Sequence, residues 1–216
     1  DHSQESAQTN LRQSLARLQS AIQNKTVDPA FVLVGRDQVQ VNPAAEVRLD
    51  ALQFVSLRGA CAEHAATPSA HCPTCLANHR SAADLYAGDF LAHFDCDSPE
   101  FDLWAAGVRA DLFQQAQATL DFLADAYVAQ GDNEAALQML NHQLLLEPWR
   151  EDAYRRQMAI LARQGRRSAA LAVYARCRAV LEEEVGAPPS AETEALYRRI
   201  ETAAEGRPHK LPAQTT

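Results

Sequence analysis

Tyr127-Val128-Ala129-Gln130-Gly131-Asp132-Asn133-Glu134-Ala135-Ala136-Leu137-Gln138-Met139-Leu140 returns 34 residues later as Leu161-Ala162-Arg163-Gln164-Gly165-Arg166-Arg167-Ser168-Ala169-Ala170-Leu171-Ala172-Val173-Tyr174. Tyr127, Gly131, Ala136 and Leu140 are matched by Leu161, Gly165, Ala170 and Tyr174, and Ala135-Ala136-Leu137 by Ala169-Ala170-Leu171. A period of this length predicts stacked antiparallel helix pairs when Gly separates two apolar-periodic segments and a small residue stands where helices cross. Each pair would bury its apolar face only against its neighbour. Pro148 closes the first unit, whereas Glu182 stands where the second would carry its Pro, so the second unit is degenerate. The competing reading is a plain helical bundle with accidental spacing.

Outward from the repeat, the chain reads as helix almost throughout, and the period resembles the tetratricopeptide pattern. Gly186-Ala187-Pro188-Pro189-Ser190 punctuates the C-terminal side, and residues 204–216 lack apolar period and read as a tail. On the N-terminal side, Ser98-Pro99-Glu100 is a helix start: a hydroxyl cap, Pro at the first helical position, then an acid near the positive end of the dipole. A helix beginning with Leu52, Phe54, Val55 and Leu57 is expected to reach about His64, and a second to reach Tyr86 before Gly88, with a loop between them. Tyr86, Phe90, Phe101 and Trp104 sit at helical spacing around a turn, which reads as core packing.

Residues 1–45 read differently. Leu11, Leu15, Leu18 and Ile22 form a narrow apolar helical stripe, and Asn24 to Pro29 breaks it. Phe31-Val32-Leu33-Val34 and Val39-Gln40-Val41 then flank Gly35-Arg36-Asp37-Gln38, a hairpin signal that Asn42-Pro43 ends. The fold expected is therefore mainly α, with a short helix plus β-hairpin in residues 1–45 and a helical repeat domain in residues 46–203.

Composition narrows the function classes. With 216 residues, 47% hydrophobic and 22% charged, the chain is globular and not disordered or fibrous. No apolar run approaches the ~18 residues of a membrane span. The net charge of −8 is too acidic to announce nucleic acid by field alone, so a DNA role must rest on motif. Five cysteines, an odd count, do not form a secreted disulfide framework, which points to a reducing cytoplasm. The chain opens at Asp1 without an initiator Met, which reads as a piece of something longer.

Leu85-Tyr86-Ala87-Gly88-Asp89-Phe90-Leu91, Trp104, Glu147-Pro148-Trp149-Arg150-Glu151-Asp152-Ala153-Tyr154-Arg155 and Gly186-Ala187-Pro188-Pro189-Ser190 occur in that order. Together they resemble the bacterial transcriptional activator domain of AfsR-like, antibiotic-regulatory-type regulators, over roughly residues 47–203. In that family the domain follows an OmpR-type winged-helix DNA-binding domain. The start of this chain is similar to the end of one: Asn10 to Leu18 looks like the recognition helix and Phe31 to Val41 like the wing. The resemblance implies a DNA-binding transcriptional regulator whose partners are promoter DNA and proteins met through the helical repeats: a second protomer, RNA polymerase or an effector domain. It also implies that the first part of the winged helix lies outside this sequence. One departure is Gln19, where the family usually has Arg.

Residue chemistry is compatible with that implication. A helix in a major groove reads bases with Asn, Gln and Arg, whose donors and acceptors pair with base edges. The outward face supplies Thr9, Asn10, Gln13 and Arg17, and the hairpin tip supplies Arg36, placed to reach a phosphate. The competing reading is an ordinary solvated helix face, with the chain a tetratricopeptide-type adaptor that has no DNA role.

The sharpest chemical signal lies in the loop expected between the first two helices of the repeat domain: Cys61-Ala62-Glu63-His64 followed, seven residues on, by Cys72-Pro73-Thr74-Cys75. Both pairs have two intervening residues, so two ligands in each turn converge on one ion. A tetrahedral set of Cys61, His64, Cys72 and Cys75 suits structural Zn²⁺, with His71 and His79 as alternative ligands. Free cysteines and a redox dithiol at Cys72 and Cys75 are the other readings, the latter weakened because no βαβ pattern surrounds it. Catalysis is not expected: there is no G-x-S-x-G, P-loop or H-E-x-x-H, and Glu182-Glu183-Glu184 reads as a solvated helix end.

Overall fold

The computed structural model describes residues 4–35, 38–60, 69–94 and 97–202. They form eight helices and one two-stranded hairpin, divided into a unit of residues 1–50 and a unit of residues 51–216.

In the first unit, helix α1 spans Gln4–Ala21, and Gln23 takes a left-handed conformation (φ 53°) in the turn that follows. Strands β1 (Val32–Val34) and β2 (Val39–Val41) pair antiparallel in the register Val32↔Val41, Leu33↔Gln40, Val34↔Val39. The expected hairpin is present, closed by the Gly35 N–H on the Gln38 carbonyl at 2.8 Å. Two buried asparagines hold its base. The Asn24 amide brackets Val32, accepting from its N–H and donating to its C=O at 2.8 Å each, while Asn42 donates to the Ala30 carbonyl at 2.7 Å. A buried amide would be costly unpaired, so these bonds fix where the strands begin and end. The apolar stripe of α1 has the expected helical form but is covered only in part: Leu15 and Ile22 are half-buried, whereas Leu11 is 58% and Leu18 44% exposed.

The second unit is a stack of helices: α2 (Asp50–Gly59), α3 (Pro73–Leu85), α4 (Pro99–Gln130), α5 (Asn133–Leu146), α6 (Glu151–Arg163), α7 (Arg167–Glu184) and α8 (Ala191–Thr202). Ser98 caps α4 as expected, its Oγ accepting from the Phe101 N–H at 3.3 Å with Pro99 following. The two repeat turns are built alike. Gly131 (φ 78°) and Gly165 (φ 74°) both adopt the left-handed conformation that Gly takes without steric cost. Gly131 donates to the Val128 carbonyl and Asp132 to that of Tyr127; Gly165 and Arg166 donate likewise to Ala162 and Leu161. Ala136 and Ala170 are both fully buried where helices cross, so the 34-residue repeat is structural.

Between α4, α5, α6 and α7 lies a core of Leu140, Leu144, Tyr154, Ile160, Cys177 and Leu181. A second core, with Phe54, Ala82, Tyr86, Leu112 and Ala116, joins α2 and α3 to α4. Three expectations need correction. Helix α2 stops at Gly59, short of His64, because Gly is a poor helix former and breaks the run. Cys72 and Cys75 are not in an open loop: Pro73 starts α3, which makes Cys72 its cap residue and puts Cys75 in its first turn. Tyr86 is buried, but Trp104 is 54% exposed and is not a core residue.

Candidate functional site

Helix α4 carries Gln117, Asp121 and Asp125 at steps of four, which places them on one face. Arg150, just before α6, reaches this face. Its Nη1 donates to Gln117 Oε1 at 2.7 Å, its Nη2 to Asp121 Oδ2 at 2.7 Å and its Nε to Asp152 Oδ1 at 3.0 Å. Arg156 on α6 donates to the other Asp121 oxygen at 2.6 Å and also pairs with Asp125. The fully buried Gln143 of α5 donates to Asp121 Oδ1 at 2.8 Å. Burial pulls the Arg150 guanidinium down, but its bonds to Asp152 and Asp121 outweigh that and hold it above its ordinary value. Asp121 of α4 is thus the common acceptor for α5, α6 and the residue that caps α6. The stretch Glu147 to Arg155 builds this junction, with Ala153 and Tyr154 fully buried behind it and the Tyr154 hydroxyl donating to the Pro148 carbonyl at 2.9 Å.

The same stretch anchors the last helix. Glu151 Oε1 accepts from the Ser190 N–H at 2.8 Å and its hydroxyl at 2.6 Å. Burial opposes the Glu151 charge, but the bonds from Ser190 and Thr193 and the Arg155 charge hold its carboxyl below the usual range. Ser190 opens α8, and its Oγ accepts from the Thr193 N–H at 3.5 Å. Most of these groups satisfy one another, the buried Gln143 Oε1 being the exception, so the junction reads as a structural spine that ties α4, α5, α6 and α8 together. Sequence reasoning missed Gln117, Asp121, Asp125 and Arg156; the step of four that joins the first three on α4 was the available signal.

In the N-terminal unit, Thr9, Asn10, Gln13 and Arg17 are all exposed and share one face of α1, as expected. Arg36 lies outside the described residues.

Of the expected metal ligands, Cys61 and His64 lie outside the described residues. Cys72 is half-buried, whereas Cys75 is fully buried and disulfide-bonded to a residue other than Cys72. That bond is therefore not the short-loop disulfide of a Cys72–Cys75 redox dithiol. Among the described residues no group of three or more His, Cys, Asp or Glu is placed to hold a metal. Burial pushes the remaining described thiol, Cys177, up to about 12, which leaves it unreactive.

The alternative ligand His71 is exposed, and His79 is buried against Phe122 (ring centroids 4.3 Å apart), its Nδ1 donating to the Cys75 carbonyl at 2.8 Å. Burial lowers the His79 pKa, the Cys75 carbonyl opposes this and the Arg58 charge reinforces it, for a net downward shift. The unfolded chain therefore takes up the proton first as pH falls. Stability is fully present above the unfolded value of roughly 6.5 and is lost as pH drops toward the lower folded value. Urea midpoints at about pH 7.5 and about pH 5.5 are expected to differ more for the wild type than for His79→Phe. Equal losses would remove His79 as the cause.

Residues 49–201 match the family model described as bacterial transcriptional activator domain. No curated protein matches the chain significantly. Among the described residues no helix is long and apolar enough to cross a membrane.

Proposed function

Because the chain belongs to the bacterial transcriptional activator domain family, we propose that it is part of a cytoplasmic, DNA-binding transcriptional regulator. Residues 1–45 supply the recognition helix and wing, and the tetratricopeptide-like helical unit, residues 46–203, mediates protein–protein interaction. The observation that carries this reading is α1 itself. It presents Thr9, Asn10, Gln13 and Arg17 on one exposed polar face and leaves Leu11 and Leu18 of its apolar stripe uncovered, followed by a two-stranded hairpin. A winged helix uses a helix of this kind in the major groove and covers its apolar side with earlier helices. On this reading those helices lie upstream of Asp1, Gln13 and Arg17 meet base edges or phosphates, and Arg36 meets the backbone.

Bound to a promoter, the regulator offers its helical unit to a second protomer, RNA polymerase or an effector domain. The Asp121–Arg150 spine keeps α4, α5 and α6 in fixed register, so the stack presents one surface. The test is transcription in vitro from promoters enriched among bound genomic fragments, using protein from the whole reading frame. Promoter-specific change in transcript level is expected. Unchanged transcription from every enriched promoter would favour the adaptor with no DNA role.

Structural zinc at Cys61, His64, Cys72 and Cys75 is proposed for the reduced protein only. A disulfide-bonded Cys75 has no thiolate to offer, and a reducing cytoplasm would restore one. Reduced, untagged protein is expected to hold about one zinc per chain, and Cys75→Ser to lose it. Less than about a tenth of an equivalent, with thiols titrating as reduced, would contradict the zinc reading.

A further inference from the structure

Between α3 and α4 the chain crosses as a strap whose course is fixed by Arg109. Its Nε donates to the Phe90 carbonyl at 2.6 Å and its Nη2 to the Leu91 carbonyl at 3.0 Å, where Leu91 adopts φ 51°. The strap and the first turns of α4 set four rings in a row. Phe90 meets Trp104 edge-on at 5.9 Å, Trp104 meets Phe101 at 5.3 Å, and Phe101 meets Phe94 at 5.3 Å. One end of the row is rooted, since Phe90 packs against the core of α2, α3 and α4. The rest faces solvent, with Trp104 54% and Phe94 51% exposed.

The charge along the stretch of chain that carries this row is one-sided. From Ser81 to Val108 the sequence has six acids and no Lys or Arg. Asp89, Glu100 and Asp102 are exposed beside the rings, while Arg109 is engaged by the strap carbonyls. A carboxylate rim raises the local concentration of cations, and aromatic faces attract guanidinium and ammonium groups directly. It repels phosphate backbones and anionic lipid surfaces. A second copy docking through the same patch would bring two acidic rims together. What fits is a polypeptide with an apolar anchor flanked by Arg or Lys.

We propose that the ring row Phe90–Trp104–Phe101–Phe94 with its acidic rim is a docking surface for a basic segment of a partner protein. An apolar side chain of that segment seats among the rings while its cations meet Trp104, Asp89 and Asp102. The proposal specifies the partner chemistry of the protein-interaction role above and rests on it. It predicts that residues far from the Asp121–Arg150 spine carry recognition.

The test is selection of a random displayed peptide library on the immobilised protein, followed by anisotropy titration of the enriched peptides. Sequences rich in Arg or Lys around a Leu or aromatic anchor are expected. Their affinity is expected to fall about tenfold or more with Trp104→Ala, and with Asp89→Asn combined with Asp102→Asn. It should change little with Glu182→Gln combined with Glu183→Gln, a neutralisation of similar size on α7. Circular dichroism would verify that each variant keeps its helix content. Basic peptides that bind Trp104→Ala undiminished would overturn this surface while leaving a protein-interaction role elsewhere on the unit. Enrichment of acidic or neutral peptides would overturn the partner chemistry. No enrichment at all would count against both this surface and the interaction reading.

Discussion

Gln13→Ala combined with Arg17→Ala is expected to lower affinity for an enriched promoter site by about 100-fold, because each lost base or phosphate contact contributes ~1–3 kcal/mol and ~1.4 kcal/mol is tenfold. The two side chains are exposed and one helical turn apart on α1, so one groove would meet both. Both are exposed and belong to the N-terminal unit, so thermal unfolding of the helical unit should be unchanged. The variant therefore separates the DNA role from stability. Binding to scrambled DNA should weaken less, since the loss of one phosphate contact acts alike on all sequences. Equal losses on specific and scrambled DNA would reduce the α1 face to a general electrostatic contact.

The second large effect is on stability. Asp121→Ala strips the common acceptor from Arg150, Arg156 and Gln143 at once. Removing one partner of a buried ion pair costs ~3–5 kcal/mol, and the residual exposure of Arg150 and Asp121 reduces this to about 2–3 kcal/mol. For a unit of this size Tm should fall by roughly 4–12 °C. Glu134→Ala breaks the exposed Arg166–Glu134 pair, 49% and 70% accessible, and should cost less than about 0.5 kcal/mol. The contrast decides whether the spine or merely the number of ion pairs holds the stack. Similar Tm values for the two variants would dismiss the spine.

Local signals explain what the sequence could disclose. Gly131 and Gly165 mark left-handed turns that few other residues adopt, and Ala136 and Ala170 mark close crossings, so the repeat was legible. Ser98-Pro99 located the start of α4, and the alternation around Gly35 located the hairpin. Pairings across distance were not legible. Arg150 finds Asp121 at a separation of 29 residues, and no local period states which acid on α4 an arginine before α6 will meet. Asn24 and Asn42 read as loop residues, yet their amides hold the hairpin through backbone groups elsewhere in the chain. Phe101 and Trp104 show why spacing alone misleads. A helical step of three places two rings on one side of α4, but whether that side is covered depends on the strap, whose Phe90 meets Trp104 only edge-on and leaves it 54% exposed.

The candidate site divides in the same way. The polar face of α1 was legible because four residues at helical spacing fall on one exposed surface. The paired Cys-x-x-Cys and Cys-x-x-His spacings were legible as chemistry but not as covalent state, because spacing carries no information on oxidation. Cys75 in the first turn of α3 is wholly enclosed, so its bonding partner, not its exposure, decides whether a thiolate exists there.

On the proposed function, this chain serves a regulator that reads DNA through α1 and its hairpin. That role is tested most directly by titrating protein from the whole reading frame against an enriched promoter fragment and a scrambled fragment at two salt concentrations. Tighter binding to the promoter fragment is expected at both, with affinity for each falling as salt rises because phosphate contacts release counterions. Equal, feeble binding of well-folded protein to both fragments would contradict it and leave the helical stack as a protein-binding adaptor.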